Sequence, residues 1–503
     1  MNQWIVAPVL LPAMTAGVLL LAGPRLPRWL QRAIGILASV ALLIVAVHLV
    51  RDASAGAVQV YALGDWRPPF GIALVLDRLS ALMLLLTAGL GLCALIGASG
   101  GVDTESPYFH ALLQFQLMGL NGAFLTGDLF NLFVFFEVLL IASYCLLLAG
   151  NTSRRLHAGM HYVVVNLVGS SLFLIAAGLL YALTGTLNFA DLAVKLPKLA
   201  ATEQVLAHSA ALMLLVVFAL KAALFPLFLW MPPAYSAASA PVAALFAIMT
   251  KVGIYSILRV CLIVFEPAAG LLGLHLSTWL VPAGLATMTC GAVGALASRR
   301  LSGLAAQLTL LSAGTILTVA GLATQQALSA ALFYLAHSTL AMAMLFLLCG
   351  PIAAGRGEAS DRLRQMGGRQ SVVLSLLFGF TASVAVGIPP LSGFLAKLML
   401  LQASEQASQW PAIWSVTLAS SLLALLALMR AGITLFWSVR NSSVAVPLSG
   451  QGPQLAAPVL LALAITALSA GAESAKHFMN ATAEQMTDVA AYTQAVLSTP
   501  GRP

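Results

Sequence analysis

Charged residues are scarce in this sequence. Only 8% of its 503 residues are Asp, Glu, Lys or Arg, whereas a typical soluble domain has about 25%. Hydrophobic residues make up 60%, and the mean hydropathy is +0.98. This composition excludes a soluble globular protein, and the polar stretches between the hydrophobic runs are too short for an independent soluble domain. The sequence therefore predicts an all-α polytopic membrane protein.

Cysteines and cofactor motifs are also few. The five cysteines all fall inside apolar runs without a C-x-x-C spacing, which is typical of small core residues rather than disulfides or iron–sulfur ligands. No Walker loop, dinucleotide fingerprint, haem motif or metal-ligand cluster occurs. The net charge of +8 comes from basic residues scattered between apolar runs, as in the loops of membrane proteins. We expect no cofactor, no metal and no nucleic-acid partner.

Long hydrophobic runs are what the sequence has in abundance. A membrane-spanning helix needs about 20 apolar residues, and the N-terminal run lacks the basic start and cleavage site of a signal peptide, so it counts as a retained span. The fourteen spans predicted in this way cover residues 3–22, 31–50, 72–98, 109–126, 129–149, 160–183, 205–231, 240–265, 276–297, 303–323, 328–349, 370–402, 411–437 and 454–473.

The basic residues between these spans predict the orientation, because Lys and Arg concentrate in cytoplasmic loops. With the N-terminus outside, twelve basic residues lie in cytoplasmic loops and six lie outside. Both termini are therefore expected on the outer face. The cytoplasmic set is Arg25, Arg28, Arg32, Arg154, Arg155, Arg299, Arg300, Arg356, Arg362, Arg364, Arg369 and Arg440, and the outer set is Arg51, Arg67, Lys195, Lys198, Lys476 and Arg502.

The stretch from Lys221 to Lys251 carries the most functional information. It reads KAALFPLFLWMPPAYSAASAPVAALFAIMTK, holds no other charge and is interrupted by prolines, Pro226 first among them. A charge at the centre of a membrane helix costs about 2.5–3.5 kcal/mol or more, so such residues are functional candidates. Proline frees a backbone carbonyl, which is tolerated beside a wet cavity. A second break is expected near Pro389 and Pro390.

Three further ionisable residues lie in separate apolar runs. Glu137 lies in GDLFNLFVFFEVLLIASY, and Lys221 is its natural partner because each charge lowers the cost of burying the other. His337 lies in ALFYLAHSTLAMAMLFLL and can relay a proton, and Lys397 ends GIPPLSGFLAK. The structural alternatives are a neutral or paired buried carboxylate, a hydrogen-bonded core histidine and lysines that extend to the interface.

Four other charges at the ends of spans are interpreted as structural. Asp77 and Arg78 are adjacent at the start of the third span and are expected to anchor it locally. Arg259 and Arg430 lie near helix ends, where a long side chain can extend to the interface.

Five segments together resemble the D subunits of the Mrp-type multisubunit monovalent cation/proton antiporters. They are VYALGDWRPPFGIALVLDRLSALMLLLT, NLFVFFEVLLIASY, KAALFPLFLWMPPAY, TKVGIYSILR and GIPPLSGFLAK, and the resemblance runs over about residues 1–475. The charged-helix motifs are shared with the proton-pumping membrane subunits of respiratory complex I. The segment from Val60 to Thr87 favours the antiporter family.

This resemblance implies fourteen helices with two inverted five-helix units, helices 4–8 and 9–13, in which helices 7 and 12 are broken. The implied divisions are 1–108, 109–265, 276–437 and 454–503. By motif, Glu137 and Lys221 form a coupled pair, Lys251 connects the two halves, and His337 and Lys397 continue the proton path. The sequence departs from the family at Ser236, where relatives often have histidine, and at Met342, where they often have lysine.

The implied function is that of one component of a cation/proton antiporter in a bacterial cytoplasmic membrane, a transporter component rather than an enzyme. Proton import would drive export of sodium or another monovalent cation, with the large A subunit and small membrane subunits as partners. The alternatives are a proton-pumping subunit of a complex I-like NADH:quinone oxidoreductase or membrane-bound hydrogenase, a stand-alone transporter and a membrane scaffold. No acidic cluster suited to sodium occurs within the spans, which favours a cation site in, or shared with, another chain of the complex.

Overall fold

The structure is a computed structural model that describes residues 2–268, 276–357, 360–364, 371–437 and 452–500. Three of the basic residues used to predict the orientation, Arg369, Arg440 and Arg502, lie outside these residues. The described part of the chain contains nineteen α-helices and one β-hairpin. The helices are α1 (Ala7–Leu21), α2 (Arg28–Ser54), α3 (Arg78–Ala98), α4 (Phe109–Leu125), α5 (Leu129–Leu148), α6 (Ser153–Thr184), α7 (Phe189–Lys195), α8 (Ala201–Lys221), α9 (Met231–Ala237), α10 (Ala240–Val260), α11 (Leu276–Ala297), α12 (Leu301–Ala320), α13 (Gln325–Ala354), α14 (Val372–Val386), α15 (Ser392–Ser404), α16 (Trp410–Gly432), α17 (Gly452–Ala470), α18 (Ala472–Thr487) and α19 (Val489–Leu497).

Most of these helices are long and apolar enough to cross a membrane. Eleven meet that criterion by length and hydropathy, and α1 and α14 are shorter apolar helices. Counting α8 with α9 and α14 with α15 as single broken spans, and including α4, the described residues form fourteen spans. The prediction of an all-α polytopic membrane protein is confirmed. We call the side of the molecule on which α1 begins the N-terminal face and the other side the opposite face.

The two predicted breaks lie where the prolines are. Helix α8 ends at Lys221 and α9 begins at Met231, so that Pro226 lies in the connecting segment. Helix α14 ends at Val386 and α15 begins at Ser392, with Pro389 and Pro390 between them. A proline cannot donate the backbone hydrogen bond that would continue the helix, and its ring clashes with the preceding turn. Each break therefore leaves backbone carbonyls of the preceding helix free for other donors.

The centre of the molecule is made of three helices that pack against one another. The most apolar part of α10 is entirely buried, and the corresponding parts of α12 and α13 are 89% and 94% buried. Helices such as α2 and α17 bury only 33% and 22% of the same window. A helix that is apolar all round belongs in the core, whereas the outer helices present one face to lipid or to a partner. Polar groups on α10, α12 and α13 are thus shielded from solvent by other helices.

The prediction that residues 72–98 form one helix is wrong at its start. Residues Ala73–Leu76 form strand β2, which pairs antiparallel with β1 (Gln59–Ala62). The Asp77 side chain accepts a hydrogen bond from the backbone N–H of Ser80 at 2.8 Å, and this cap starts α3 at Arg78. An Asp N-cap favours extended backbone at its own position. The apolar run therefore divides into a buried strand and a helix.

The structure corrects the interpretation of Arg259 and adds a distant partner for Asp77, which also anchors the start of α3 as expected. Arg259 does not extend to the interface: it is 3% exposed, and its guanidinium binds both carboxylate oxygens of Asp77. Arg78 instead donates to the Ser54 carbonyl at 2.8 Å. Arg430 is exposed and donates to the Ser298 carbonyl at 2.8 Å. A buried bidentate ion pair thus fixes the start of α3 against the end of α10.

The chain after the last span packs onto the N-terminal face. Helix α18 lies against α13 and α3 and buries Met479, Ala483 and Met486. The Ser329 hydroxyl donates to the Asn480 side chain at 2.5 Å. Helix α19 then places Tyr492 over the Arg259 guanidinium, 5.8 Å from the ring centroid. The C-terminal helices therefore cover the ion pair between Asp77 and Arg259.

A second buried carboxylate lies on the opposite face, in the loop between α3 and α4. Asp103 is fully buried and accepts hydrogen bonds from Arg32 at 2.6 and 2.9 Å, and His110 lies 3.2 Å away. Burial alone would raise the pKa of the Asp103 carboxyl, but the hydrogen bonds to His110 and Arg32 and the Arg32 charge outweigh it. The pKa of Asp103 is therefore held below its ordinary value.

This lowered pKa of Asp103 predicts that the stability of the fold depends on pH in the acid range. A carboxyl whose pKa is lower in the folded protein stabilises the fold above its unfolded value of about 3.9 and loses that contribution as the pH falls through its folded pKa. We expect the thermal stability of the solubilised protein to fall more between about pH 5 and about pH 3 than that of the Asp103→Asn variant. Equal losses in the two proteins would contradict the assignment.

Candidate functional site

The five ionisable residues predicted as functional lie on five different helices. Glu137 is on α5 and Lys221 is the last residue of α8. Lys251 lies in the middle of α10, His337 in α13 and Lys397 in α15. Lys251 is fully buried, and His337 and Lys221 are 2% and 8% exposed. Glu137 and Lys397 are half-buried.

Lys221 is held at the first helix break. Its ammonium donates to the Asn166 side-chain oxygen at 3.2 Å and lies 5.6 Å from the centroid of the Phe136 ring. Helix α10 approaches this point closely, because a Cβ on Gly253 would lie 2.3 Å from the backbone nitrogen of Ala222. Only glycine allows so close a contact. The backbone of α10 therefore fixes the position of the break and of Lys221.

Glu137 and Lys221 both bind side chains of α6, and their two partners on that helix are one turn apart. The Ser170 hydroxyl donates to the Glu137 carboxylate, while Asn166 accepts from Lys221. No direct ion pair joins Glu137 to Lys221 within the described residues, although the two charges interact electrostatically. Residues four apart share a helix face. Helix α6 therefore presents two polar side chains on one face, Asn166 to Lys221 and Ser170 to Glu137.

Glu137 lies on a face of α5 that the other described helices leave partly open. Phe130 is 50% exposed and Ile141 is 58% exposed, and Val134 is exposed between them. Positions 130, 134, 137 and 141 follow the spacing of one helix face. A carboxylate on such a face is costly in lipid. This part of α5 is therefore suited to contact with a protein partner.

Lys251 has a hydroxyl partner on the neighbouring central helix. Its ammonium donates to Ser312 Oγ at 2.8 Å, and the Ser312 hydroxyl donates to the Thr309 carbonyl at 2.7 Å. Thr309, Thr315 and Thr318 are also buried on α12. Tyr334 of α13 interacts with the Thr315 side chain, so hydroxyl groups extend from Lys251 toward α13.

His337 and Lys397 both lie at the second helix break. His337 Nδ1 is 3.0 Å from Ser392 Oγ at the start of α15, and its ring contacts the Tyr334 ring at a centroid distance of 5.7 Å. Lys397 donates to the Val386 carbonyl at 2.6 Å and to Ser421 Oγ at 2.9 Å. The carbonyl that the proline break frees at the end of α14 is thus satisfied by a lysine ammonium.

The two departures from the family pattern have distinct environments. The Ser236 hydroxyl donates to the Pro233 carbonyl at 3.2 Å, and Arg154 donates to the Ser236 backbone carbonyl at 2.7 Å. Met342 is buried in α13 at 4% exposure. Neither serine nor methionine supplies a titratable side chain at these positions.

The neutral partners of the five ionisable groups were not predicted from the sequence. All of them are Ser or Asn, which are common in any chain. One signal was available, because hydroxyl residues recur at every third position along an otherwise apolar helix. These positions are Thr309, Ser312, Thr315 and Thr318, and a stripe of this kind indicates a polar face inside a membrane protein. The partners are Ser170, Asn166, Ser312, Ser392 and Ser421.

The neutral hydrogen-bond partners of the five groups suit proton transfer better than a structural role in ion pairs. None of the five groups forms an ion pair with an opposite charge in the described part of the chain. A lysine whose partners are hydroxyls or amides can lose its proton without leaving an unpaired opposite charge behind. Buried ionisable groups along broken helices are a property of proton- and ion-translocating membrane proteins. The site therefore defines a membrane protein with buried and half-buried titratable groups on five of its helices.

Comparison with known proteins specifies the family. The family described as "NADH:quinone oxidoreductase/Mrp antiporter, TM" matches residues 126–424. These residues include all five ionisable groups and both helix breaks. The chain belongs to this family.

Relatives with high similarity over their whole length are antiporter components. The chain is 40% identical to the D subunit of a probable K(+)/H(+) antiporter of Rhizobium meliloti, covering 99% of both chains. It is 37% identical to the D subunit of the Na(+)/H(+) antiporter of Alkalihalophilus pseudofirmus, covering 99% of this chain and 100% of the relative. In the solved Mrp complex from Dietzia sp. DQ12-45-1b, one chain superposes with a TM-score of 0.85 at 29% identity, covering 99% of this chain and 100% of that chain.

Proposed function

We propose that this chain is the D subunit of a multisubunit monovalent cation/proton antiporter. Inward proton movement through the chain drives export of sodium or another monovalent cation by the assembled complex. The observation that carries the proposal is the set of five buried or half-buried titratable groups at membrane depth, each bonded to a neutral partner. The family and the two similar D subunits support it.

The proton route follows the order of these groups along the molecule. Lys221 exchanges protons with Lys251, and His337 and Lys397 continue the route to the second break. Glu137 modulates Lys221 through space, because a carboxylate near an ammonium stabilises its charged form. Transfer of a proton away from Lys221 removes that interaction, so the charge states of Glu137 and Lys221 depend on each other.

The two breaks support the proposed division into two five-helix units. In the first unit, residues 109–265, the broken helix α8–α9 is the fourth span of five. In the second, residues 276–437, the broken helix α14–α15 is also the fourth. An odd number of spans makes consecutive units face opposite sides of the membrane. The remaining divisions are residues 1–108 and 454–503.

The cellular setting follows from the relatives and the loop charges. The protein belongs in the cytoplasmic membrane of a bacterium, with both termini on the outer face, because the N-terminal face carries fewer basic loop residues. The exposed face of α5 around Glu137 contacts another chain of the complex. The protein works as a transporter component and not as an enzyme.

Everted membrane vesicles test this function. The full gene cluster is expressed in a host that lacks its own antiporters, a proton gradient is formed, and sodium, potassium or lithium salt is added. At least one cation is expected to dissipate the gradient, because the cation enters the lumen in exchange for protons. If none does, while an electron donor builds the gradient through the complex, the redox-pump alternative replaces the antiporter.

A further inference from the structure

A small cavity lies beside Lys221 at the first helix break. Lys221, Asn166, Tyr162, Trp230 and Val252 are among the residues that line it, and the space open to the centre of a water molecule is about 20 Å³. A buried water needs at least about 10–15 Å³ measured in this way. The cavity therefore has room for one water.

The polar groups around the cavity suit a bound water. An ammonium has three hydrogens; Lys221 gives one to Asn166 and faces the Phe136 ring with its charge, which leaves a further donor. Asn166 Oδ1 has a second lone pair. A buried water is retained where two to four polar partners surround it, and an apolar cavity of the same size stays empty. Here a lysine and an amide both line the space.

Tyr162, which lines the cavity, forms a hydroxyl pair with Ser143 of α5. Tyr162 is fully buried, and its hydroxyl lies 2.8 Å from Ser143 Oγ. While Ser143 donates to the Leu140 carbonyl at 2.7 Å, the Tyr162 hydroxyl donates to Ser143. The Tyr162 ring stacks on Trp230 at a centroid distance of 5.1 Å, and the Trp230 indole N–H donates to the Leu220 carbonyl at 3.1 Å, beside the Ala223 backbone N–H that donates to the same oxygen. The break itself thus holds Tyr162 in place.

The hydroxyl pair lies on the side of Lys221 that leads to the opposite face. Ser143 is five residues before the end of α5 at Leu148, which is about 8 Å along the helix axis. The hydroxyl pair therefore lies about 8 Å from the end of α5 at this face, which is cytoplasmic under the proposed orientation.

We propose that the cavity holds one water molecule and that this water, with Tyr162 and Ser143, connects Lys221 to the opposite face as a proton-conducting link. The proposal rests on the proposed function. It assigns a binding site for water and gives Tyr162 and Ser143 a role in loading and unloading Lys221.

The transfer conserves every group in the link. The Ser143 hydroxyl turns from the Leu140 carbonyl toward Tyr162. An excess proton then binds the Ser143 oxygen while the serine releases its own proton to Tyr162. Tyr162 passes a proton to the water, and the water passes one to the neutral amine of Lys221. Each hydroxyl ends with one proton and the water with two, so the net change is one proton moved to Lys221. The reverse sequence unloads it.

Removing either hydroxyl tests the link. Tyr162→Phe and Ser143→Ala are each expected to slow exchange by about tenfold or more, a barrier increase of about 1.4 kcal/mol, with the apparent affinity for the cation unchanged. Tyr144→Phe is the matched control, because Tyr144 packs on Tyr162 at a centroid distance of 5.0 Å but lies outside the link, and it is expected to keep the normal rate. Normal exchange in both hydroxyl variants overturns the proposal.

Filling the cavity tests the water while every polar group is kept. Val252→Ile adds one methylene to the lining and should expel the water, so an equal slowing is expected. Val260→Ile, on the same helix and outside the cavity lining, should have no such effect. If assembled Val252→Ile complexes exchange at the normal rate, the water link is wrong even when Lys221→Ala is inactive. If Lys221→Ala itself retains exchange, the proposed function fails first.

Discussion

Replacing Lys221 with alanine is expected to abolish cation-dependent dissipation of the proton gradient while the complex still assembles. Lys221 interacts electrostatically with Glu137 and lines the cavity at the first helix break. It is also the last residue of α8, the first half of the broken span. Alanine provides no site for a proton at this point, and the neighbouring amide of Asn166 does not titrate. No parallel group in the described residues replaces it, so the rate should fall to the background of vesicles without the complex.

The matched control is Lys198→Ala, because Lys198 is an exposed lysine in the loop before α8. It is expected to retain the normal rate. Glu137→Ala should also abolish exchange, since Lys221 then loses the charge that modulates it. Immunodetection of the intact complex in the same vesicles separates loss of transport from loss of assembly. Full exchange in an assembled Lys221→Ala or Glu137→Ala complex would contradict the mechanism.

The positions of the titratable groups could be predicted because a membrane makes them conspicuous. A lysine such as Lys251 in a long apolar run has no ordinary structural explanation, and the structure buries it completely. The breaks were equally predictable, because proline interrupts a helix in any context. The roles of the five groups in proton transfer remain predictions that the vesicle experiments test.

The pairing of the charges could not be predicted from local sequence. Asp77 and Arg259 are separated by 182 residues. The sequence indicated a local anchor for Asp77 and extension to the interface for Arg259. Lys221 was expected to be the partner of Glu137. In the described residues Ser170 binds Glu137 and Asn166 binds Lys221, and the two charges interact through space. The choice depends on which helices are neighbours, and hydropathy patterns do not contain that information. The strand at Ala73–Leu76 was missed for the same reason, since its partner strand is what distinguishes it from a helix.

Replacing Arg259 with alanine is expected to cause the largest loss of stability of any single substitution considered. Arg259 and Asp77 are both 3% exposed, and Arg259 also donates to the Tyr255 hydroxyl at 3.1 Å. Removing one partner of a buried ion pair leaves the other charge uncompensated, which costs about 3–5 kcal/mol. The double variant Asp77→Asn with Arg259→Gln removes both charges and should therefore be less destabilised than the sum of the single changes.

The measurement is unfolding of the solubilised protein by denaturant, with Arg430→Ala as the control. Arg430 was assigned to the same class as Arg259 from the sequence, but it is exposed and makes one bond to the Ser298 carbonyl. Its loss should change the free energy of unfolding by no more than about 0.5 kcal/mol. Similar stabilities of the Arg259→Ala and Arg430→Ala variants would show that the ion pair does not brace α3 against α10. A large difference would show that burial, rather than position near a helix end, decides what an arginine contributes in this fold.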